Sequence, residues 1–246
     1  MNERSDLDLH PQVALVTGAT SGIGRAVALK LAADGYEVLV HGRDPGRGQQ
    51  TVEAIEKAGG QARFVAADLS DPDGVARLAA EAGRVDVLVN NAGFSWFGPT
   101  ENLGTETFDA LFDSNVRSAY YLVAALAPAM VQRGTGSIIN VGSMAGQIGL
   151  AGAAAYSATN AAQAALTRAW AAEFSPRGVR VNTIAPGPVY TGGTTAERIE
   201  ALGATTLLAR AAQPEEIAEV VAFLASPKAG YVTGAVVAAD GGRTAV

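Results

Sequence analysis

Seven short apolar runs, each separated from the next by a segment long enough for a helix, set the strongest constraint on the fold of this chain. The runs are apolar on both faces, as expected for strands in a sheet that is covered on both sides. Strands that alternate with helices predict βαβ units and a parallel sheet, and hence a doubly wound α/β fold. The predicted strands are Val13 to Thr17, Glu37 to His41, Arg63 to Ala67, Val85 to Val89, Ser137 to Val141, Arg180 to Ala185 and Ala235 to Ala239.

The chain length predicts one domain. With 246 residues and 48% hydrophobic content, the chain is long enough to bury a large core, and no repeat or low-complexity linker divides it. We expect a polar lead-in at residues 1–10 and a single domain at residues 11–246. Among the segments between the strands, the predicted helices include Arg25 to Ala33, Gly48 to Ala58, Thr105 to Arg133, Tyr156 to Phe174 and Pro214 to Ala225.

Composition excludes several classes of site and partner. A net charge of -6 argues against binding to nucleic acid or to anionic lipid. The absence of cysteine excludes disulfides and thiolate chemistry, and two histidines, His10 and His41, are too few for a histidine metal site. We therefore expect no metal. No apolar stretch reaches the roughly 18 residues of a membrane span, and no signal-like segment begins the chain, so we expect a cytoplasmic protein without membrane contact.

A glycine-rich turn follows the first predicted strand. Gly18, Gly22 and Gly24 lie where the chain leaves the strand and begins a helix. Glycine allows a backbone to turn sharply and to approach a phosphate, and the free N–H groups of the helix then face that anion. The turn predicts a dinucleotide site; a purely structural strand-to-helix turn is the alternative.

The end of the second predicted strand indicates which dinucleotide is bound. An acidic residue there pairs with the ribose 2′-hydroxyl of NAD, whereas an arginine accommodates the 2′-phosphate of NADP. The sequence places Arg43 there, and Asp44 follows one residue too late, as a helix cap or a solvated loop acid. NADP is therefore expected over NAD, with a solvated loop charge as the alternative role for Arg43.

Further motifs follow the later strands in a fixed order. They are Asp68-Leu69, Asn90-Asn-Ala-Gly93, Asn115, Ser143 and Tyr156-Ser-Ala-Thr-Asn160. Together with the Gly-x-x-x-Gly-x-Gly spacing, they resemble the short-chain dehydrogenase/reductase family, whose catalytic signature is Tyr-x-x-x-Lys. The resemblance continues to Asp240-Gly-Gly242, covers nearly the whole chain and implies a Rossmann-like fold.

The resemblance assigns roles to four residues. It implies that Tyr156 exchanges a proton with the substrate oxygen, that Ser143 binds that oxygen, and that Asn115 kinks its helix and supports a water in a proton relay. Such roles suit hydride transfer, which needs one positioned donor and one proton source. Ordinary alternatives are a helix cap for Ser143, packing for Tyr156 and a surface position for Asn115. The fourth residue, Asn160, occupies the lysine position.

The resemblance also implies a set of cofactor contacts. Asp68 is similar to the residue that holds the adenine amino group, although a turn or helix cap is its ordinary alternative. Small residues in the Asn-Ala-Gly turn would let the adenosine side lie against the backbone. The predicted cofactor-binding residues are Gly18, Thr20, Ser21, Gly22, Ile23, Gly24, Arg43, Asp68, Leu69, Asn90, Ala92, Gly93, Tyr156, Asn160, Pro186, Gly187, Val189 and Thr191.

A substrate region is predicted around the loop after the sixth strand. Residues 187–212 are expected to form a mobile substrate lid, because Gly192 to Leu208 is rich in Gly, Thr and Ala with few large apolar side chains. By position, an apolar wall is expected from Phe94, Trp96, Gln147 and Tyr190, with Phe97 and Ile148 beside them. Core or subunit packing is the alternative for the aromatic residues.

The residue at position 160 leaves two readings of function. The family's lysine binds the nicotinamide ribose and its charge favours the tyrosinate, whereas Asn160 keeps part of the first role and none of the second. The main prediction is an NADP(H)-dependent oxidoreductase of carbonyl or secondary alcohol substrates, of the carbonyl or 3-oxoacyl reductase type, with activity impaired by Asn160. The alternative is an NADP-binding protein with little catalysis, acting as a sensor or assembly partner.

Two predicted helices indicate self-association. Thr105 to Arg133 and Tyr156 to Phe174 resemble the subunit-packing helices of the family. The second carries small residues at 161, 162, 164 and 165, which permit close helix approach. We expect a homo-oligomer, and the resemblance implies a tetramer.

Overall fold

The computed structural model describes residues 11–246, so the predicted lead-in at 1–10 lies outside the described residues. Seven strands form one sheet in the order β3-β2-β1-β4-β5-β6-β7, and every neighbouring pair is parallel. This confirms the predicted doubly wound sheet. The strands are β1 Val13–Val16, β2 Glu37–Gly42, β3 Gln61–Ala66, β4 Val87–Asn90, β5 Gly136–Val141, β6 Val179–Pro186 and β7 Val236–Ala239.

Helices cover both faces of the sheet. One core layer packs β-strand residues against α1, α2 and α8, through side chains such as Leu31, Ile55 and Val221. The other layer packs the opposite face against α3, α5 and α6, through residues such as Leu78 and Leu122. The α-helices are α1 Gly22–Ala33, α2 Pro45–Lys57, α3 Pro72–Ala82, α4 Thr105–Phe112, α5 Ser118–Arg133, α6 Ala154–Phe174, α7 Ala196–Gly203 and α8 Pro214–Ala225.

The long helix predicted at Thr105 to Arg133 is interrupted. A π-helical turn, Asp113–Arg117, separates α4 from α5 and contains Asn115. Because a π turn inserts one residue into the helical repeat, it leaves a backbone carbonyl out of the usual bonding pattern. Within residues 11–246, no helix combines the length and the apolar character that crossing a membrane requires.

The strand order reverses between β1 and β4: β2 and β3 lie on one side of β1, and β4 to β7 lie on the other side. In an open parallel sheet, this is the place where a crevice opens beyond the carboxyl ends of the strands. The loops that follow β1, β2, β3 and β4 all meet there.

Candidate active site

A groove of about 610 Å³ lies along the carboxyl edge of the sheet, centred on the β1/β4 switch point. The glycine-rich turn, the end of β2 and the loops after β3 and β4 form its walls. Twelve of the residues predicted to bind a cofactor line this groove: Gly18, Thr20, Ser21, Gly22, Ile23, Gly24, Arg43, Asp68, Leu69, Ala92, Gly93 and Thr191.

The glycine turn leaves no room for side chains. Gly18 has φ +65°, a left-handed conformation that favours glycine. A Cβ on Gly24 would lie 2.3 Å from the carbonyl oxygen of Gly18. Ser21 precedes α1 and its side chain forms no capping hydrogen bond, so the first N–H groups of this helix remain available to an anion.

Asn91 braces the glycine turn against the loop after β4. Its Nδ2 donates to the carbonyl oxygens of Thr17 at 2.9 Å and Gly18 at 3.2 Å. The Thr17 hydroxyl oxygen accepts from the backbone N–H groups of Asn91 and Ala92, each at 2.9 Å. Two loops that are far apart in sequence are thereby held as one wall of the groove.

His41 supports the same turn from below and was not predicted to take part in the site. It is 2% exposed. Its Nδ1 accepts from the Gly18 N–H at 3.3 Å, and its Nε2 lies 3.2 Å from the carbonyl oxygen of Ala67. Because a carbonyl oxygen only accepts, Nε2 carries the proton of a neutral ring. Burial lowers the pKa of His41 to about 4, so the ring stays neutral at physiological pH.

Two arginines border the groove beyond β2, and they differ in their surroundings. Asp44 caps the start of α2 by accepting from the backbone N–H of Arg47 at 3.1 Å, which is one of its two predicted roles. The Arg47 guanidinium also donates to Asp44, at 3.0 Å. Arg43 is exposed at the groove wall. Arg47 was missed by the sequence analysis because its place in the groove depends on the start of α2.

Asp68 places a carboxylate at the far end of the groove. Its Oδ1 accepts from the backbone N–H of Ser70 at 3.0 Å and from the Ser70 hydroxyl at 2.8 Å. The Ser70 backbone N–H, followed by its hydroxyl, lowers the pKa of Asp68. Leu69 is buried beside it. This end of the groove therefore combines an anionic acceptor with an apolar side chain.

A smaller cavity of about 230 Å³ is lined by three of the four candidate catalytic residues, whereas Ser143 lines neither this cavity nor the larger groove. Tyr156, Asn160 and Asn115 all line the smaller cavity, together with Gln163. The Tyr156 ring meets the edge of Phe97, with ring centroids 5.7 Å apart. The two cavities share a wall and so form one continuous cleft; the shared residues are Ile23, Asn91, Ala92, Gly93, Phe94 and Thr191.

Asn115 is 6% exposed, so the alternative of a surface position does not hold. Its Oδ1 accepts from the Phe94 N–H at 3.0 Å, and its Nδ2 donates to the Phe94 carbonyl oxygen at 2.9 Å and to the Thr159 hydroxyl at 3.2 Å. Its backbone carbonyl, within the π turn, accepts from Nε2 of Gln163 at 2.6 Å. The Asn115 side chain therefore fixes the backbone of the cavity wall, and the Asn115 carbonyl already accepts a hydrogen bond from Gln163.

Asn160 and Ser143 use their polar groups differently. Asn160 is buried, and its Nδ2 donates to the backbone carbonyl of Tyr156 at 2.8 Å. The Ser143 oxygen caps a short turn by accepting from the Ala145 N–H at 3.1 Å. A hydroxyl that accepts in this way still has its hydrogen to donate.

Other predicted site residues lie around the cleft rather than in its walls. Asn90 is buried beneath it and donates to Asn140 at 2.9 Å, while Val189 forms a bridge with Ala212 at the base of the predicted lid. Pro186 ends β6, and a Cβ on Gly187 would lie 2.7 Å from the Asp240 backbone. In the part of the chain that the structure describes, Phe94 lines both cavities, whereas Trp96, Gln147 and Tyr190 line neither.

The segment predicted as a lid contains structure that the sequence pattern did not indicate. Helix α7 lies within this segment. The two ends of the segment are joined by a hydrogen bond from the Tyr190 N–H to the Ala212 carbonyl at 3.0 Å. On α7, the Arg198 guanidinium lies 5.4 Å from the centre of the Phe97 ring. This ring also contacts Tyr156, so the segment reaches the mouth of the smaller cavity.

Comparison with known proteins identifies the family. A family model described as enoyl-(acyl carrier protein) reductase matches residues 18–244. The chain belongs to the short-chain dehydrogenase/reductase family. It is 36% identical to the cyclopentanol dehydrogenase of Comamonas testosteroni over 246 residues, which is 96% of this chain and 98% of that protein. It is 37% identical to the 3-oxoacyl-acyl-carrier-protein reductase FabG of Staphylococcus aureus over 237 residues, 93% of this chain and 96% of that protein.

Solved structures in the family share the whole fold. The structure of a blue fluorescent protein from a metagenomic library, in complex with NADPH, matches with a TM-score of 0.89. It is 36% identical, and the match covers 96% of this chain and 98% of that one. As a member of this family, the chain is an oxidoreductase with a nicotinamide cofactor, and its glycine turn and cleft lie at the fold's dinucleotide crevice.

Proposed function

We propose that this protein is an NADP(H)-dependent oxidoreductase that interconverts a carbonyl compound and a secondary alcohol. The observation that supports this most is the continuous cleft, in which the glycine turn forms one end and Tyr156 lines the other. A dinucleotide that lies along the groove brings its reactive end beside this tyrosine. A protein that only binds the cofactor has no need of Ser143, Tyr156 and Asn115 together.

The residues of the larger groove fit a dinucleotide with a 2′-phosphate. Gly18 and Gly24 let the turn pack closely, because a Cβ on either would lie within 3.0 Å of protein atoms, and the open N–H groups of α1 suit the pyrophosphate. Arg43 supplies a guanidinium for the 2′-phosphate, since Arg47 already pairs with Asp44. Asp68 would accept a hydrogen bond from the adenine amino group.

Tyr156 and Ser143 carry the proton chemistry in this proposal. When bound, the cofactor supplies or accepts a hydride. Hydride addition to a carbonyl leaves negative charge on the oxygen, so the Ser143 hydroxyl donates a hydrogen bond to it and the Tyr156 hydroxyl delivers the proton. Asn115 supports this arrangement by fixing the backbone of Phe94 at the cavity wall.

Asn160 makes the reaction slow in both directions. A neutral amide that bonds the backbone of Tyr156 brings no positive charge to favour the tyrosinate. Alcohol oxidation, which needs the tyrosinate as base, therefore suffers most at neutral pH. The overall equilibrium between carbonyl and alcohol is unchanged, because a catalyst alters rates only.

The substrate wall is apolar and aromatic. Phe94 and Phe97 are both partly exposed beside Tyr156, and neither is needed to fill the core. The relatives named above act on cyclopentanol and on 3-oxoacyl groups, respectively. We propose a small ketone or a 3-oxoacyl thioester as the substrate class, with Trp96, Gln147 and Tyr190 in the outer wall.

Residues 187–212 act as the lid, and their contacts indicate which part moves. The second half is tied down, because Arg210 forms a bidentate pair with Glu216 at 2.6 and 2.7 Å and the Leu208 N–H donates to Gly241 at 3.1 Å. The stretch from Thr191 to α7 is mostly exposed. Closure of this stretch would press Arg198 and Phe97 against the substrate.

We further propose that the protein works as a homotetramer in the cytoplasm. A shallow apolar groove separates the end of α4 and the start of α5 from α6, and Tyr120 and Tyr121 are 47% and 53% exposed there. A second copy of the chain would cover these rings. The apolar residues of this groove are Phe112, Val116, Tyr120, Tyr121, Ala162, Ala165 and Leu166.

The function is tested by measuring NADPH consumption with a panel of ketones, aldehydes and 3-oxoacyl thioesters, alongside NADPH binding by calorimetry. We expect binding and a slow turnover on at least one class. Tyr156→Phe should lower that turnover by roughly 10²- to 10⁴-fold while NADPH still binds. Binding without turnover on any substrate would instead support a cofactor-binding sensor or assembly partner, the function that the neutral Asn160 favours.

A further inference from the structure

Two amide side chains of α6, Asn160 and Gln163, are held in fixed orientations. Nδ2 of Asn160 donates to the carbonyl of Tyr156 at 2.8 Å, and Nε2 of Gln163 donates to the carbonyl of Asn115 at 2.6 Å. A carbonyl oxygen only accepts, so these bonds fix which end of each amide is the nitrogen. Both amide oxygens therefore point away from those carbonyls.

The two oxygens converge beside Gly142. A Cβ built on this glycine would lie 3.5 Å from Asn160 Oδ1 and 3.5 Å from Gln163 Oε1. Gln163 is 6% exposed, and its Oε1 has no hydrogen-bond partner among the residues that the structure describes. Two acceptors that face one region without a donor are unfavourable alone, and they favour binding of a hydrogen-bond donor there.

We propose that Gln163 is a cofactor-positioning residue, whose Oε1 acts with Asn160 Oδ1 as an acceptor pair for the hydroxyl groups of the nicotinamide ribose. This inference rests on the proposed function, because it takes the cleft as the dinucleotide site. Gly142 and both amides line the same cavity as Tyr156. The neighbouring 2′- and 3′-hydroxyls of a ribose are two donors on adjacent carbons, which matches two acceptor oxygens.

In this contact the donor and acceptor roles are the opposite of those in a contact made by a lysine. An ammonium group only donates, so a ribose hydroxyl must accept from it. Here the hydroxyls donate to the amide oxygens, and the buried Gln163 oxygen gains the donor that it lacks among the described residues. Gln163 thus lets a neutral residue at position 160 retain the cofactor.

The test compares two ligands that differ in the nicotinamide ribose. NADPH contains it, and adenosine 2′,5′-bisphosphate keeps only the adenosine half. Gln163→Met removes the amide from a side chain of similar length. Gly142→Ala leaves both amides in place and covers their oxygens with a methyl group, whose closest contact would be 3.2 Å from Thr183 Cγ2. Gly149→Ala is the matched control, because a Cβ there meets nothing within 4 Å.

Calorimetry of the full chain should show NADPH affinity falling by roughly 5- to 20-fold in Gln163→Met and in Gly142→Ala. The affinity for adenosine 2′,5′-bisphosphate should change by less than about twofold in both, and Gly149→Ala should bind both ligands like the parent protein. Unchanged NADPH affinity in Gly142→Ala, or equal losses for both ligands, would overturn the inference while leaving the proposed function intact. A parent protein that binds neither ligand would overturn both.

Discussion

The amide nitrogen of Asn160 donates a 2.8 Å hydrogen bond to the backbone carbonyl of Tyr156, one helical turn earlier in α6. The side chain is therefore folded along its own helix, and this bond uses one of its two amide hydrogens. Among residues 11–246, no lysine or arginine lines this cavity, and the other amide side chains that α6 and the π turn contribute to it are Asn115 and Gln163. Besides Tyr156, the side chains that α6 and the π turn contribute to this cavity are therefore neutral amides and bring no positive charge to the Tyr156 hydroxyl.

Asn160→Lys should restore a positive charge to the cavity. The charge stabilises the tyrosinate, so the alkaline rise in kcat/KM for alcohol oxidation should move toward neutral pH by about one pH unit or more. NADPH should also bind more tightly, because an ammonium can donate to the ribose and to the unpaired oxygen of Gln163. The measurements are a pH–rate profile for oxidation and calorimetric binding of NADPH.

Asn160→Met separates charge from length in that experiment. This side chain is long and apolar, so it should leave the pH profile of the parent protein in place. If Asn160→Lys shows the parent profile and the parent rate, Tyr156 is not the acid/base group or another residue already does the work of the lysine.

Arg43→Ala should change cofactor preference. Loss of a charge-assisted hydrogen bond to the 2′-phosphate should weaken NADPH binding by about 1.5 to 3 kcal/mol. NADH has no such phosphate, so its affinity should change little. Titration of both cofactors with the variant and the parent protein gives the ratio directly.

Arg47→Ala is the matched control for Arg43. Both arginines lie at the groove, but Arg47 pairs with Asp44 at 3.0 Å. Its removal should alter the NADPH-to-NADH ratio less than removal of Arg43 does. Equal losses of NADPH and NADH affinity in Arg43→Ala would mean that this arginine is only a loop charge.

Ala165→Glu should disrupt self-association. Ala165 lies in the apolar groove beside Tyr120 and Tyr121, where a carboxylate would be buried by a second subunit. The parent protein should sediment at micromolar concentration as a tetramer of the 25.0 kDa chain, and the variant as a smaller species. Ala80→Glu, on the exposed face of α3, should sediment like the parent. A monomeric parent protein would contradict the assembly.

The sequence was sufficient for the sheet and for most of the groove. Alternation of apolar runs with helical segments is a local pattern, so each of the seven strands was found, with ends displaced by one or two residues. Spaced glycines after β1 are equally local, because they mark a turn that only glycine permits. The π turn was not indicated by spacing, because its extra residue depends on the buried contacts of Asn115; only the family resemblance implied a kink at that residue.

The hydrogen bonds that hold the loops of the site together could not be predicted from any local sequence pattern. Asn91 bonds Thr17 across 74 positions, and Gln163 bonds Asn115 across 48. His41 meets Gly18 across 23 positions and looked like an ordinary strand residue. Polar residues of this kind become informative only after the fold has placed their partners, because the sequence carries no periodic signal for the pairing.

His41 gives a prediction for stability against pH. Burial, aided by the charge of Arg43 and opposed by the Ala67 carbonyl and Asp68, lowers the pKa of His41 from 6.5 to about 4. Between these two values the unfolded chain binds a proton that the folded protein does not. The free energy of unfolding should therefore fall as the pH drops from 6.5 toward 4, by about 3 kcal/mol in total from this residue. Above pH 6.5 this residue should add no pH dependence.

His41→Asn should remove this pH dependence. The asparagine oxygen can still accept from the Gly18 N–H, but the side chain does not titrate. Urea unfolding at a series of pH values should give a flatter stability curve between pH 4 and 6.5 for the variant than for the parent protein. A carboxylate whose pKa is lowered by other partners, such as Glu216 beside Arg210, contributes the same pH dependence to both proteins. Parallel curves for the two proteins across this range would show that the ring is not held neutral beneath the glycine turn.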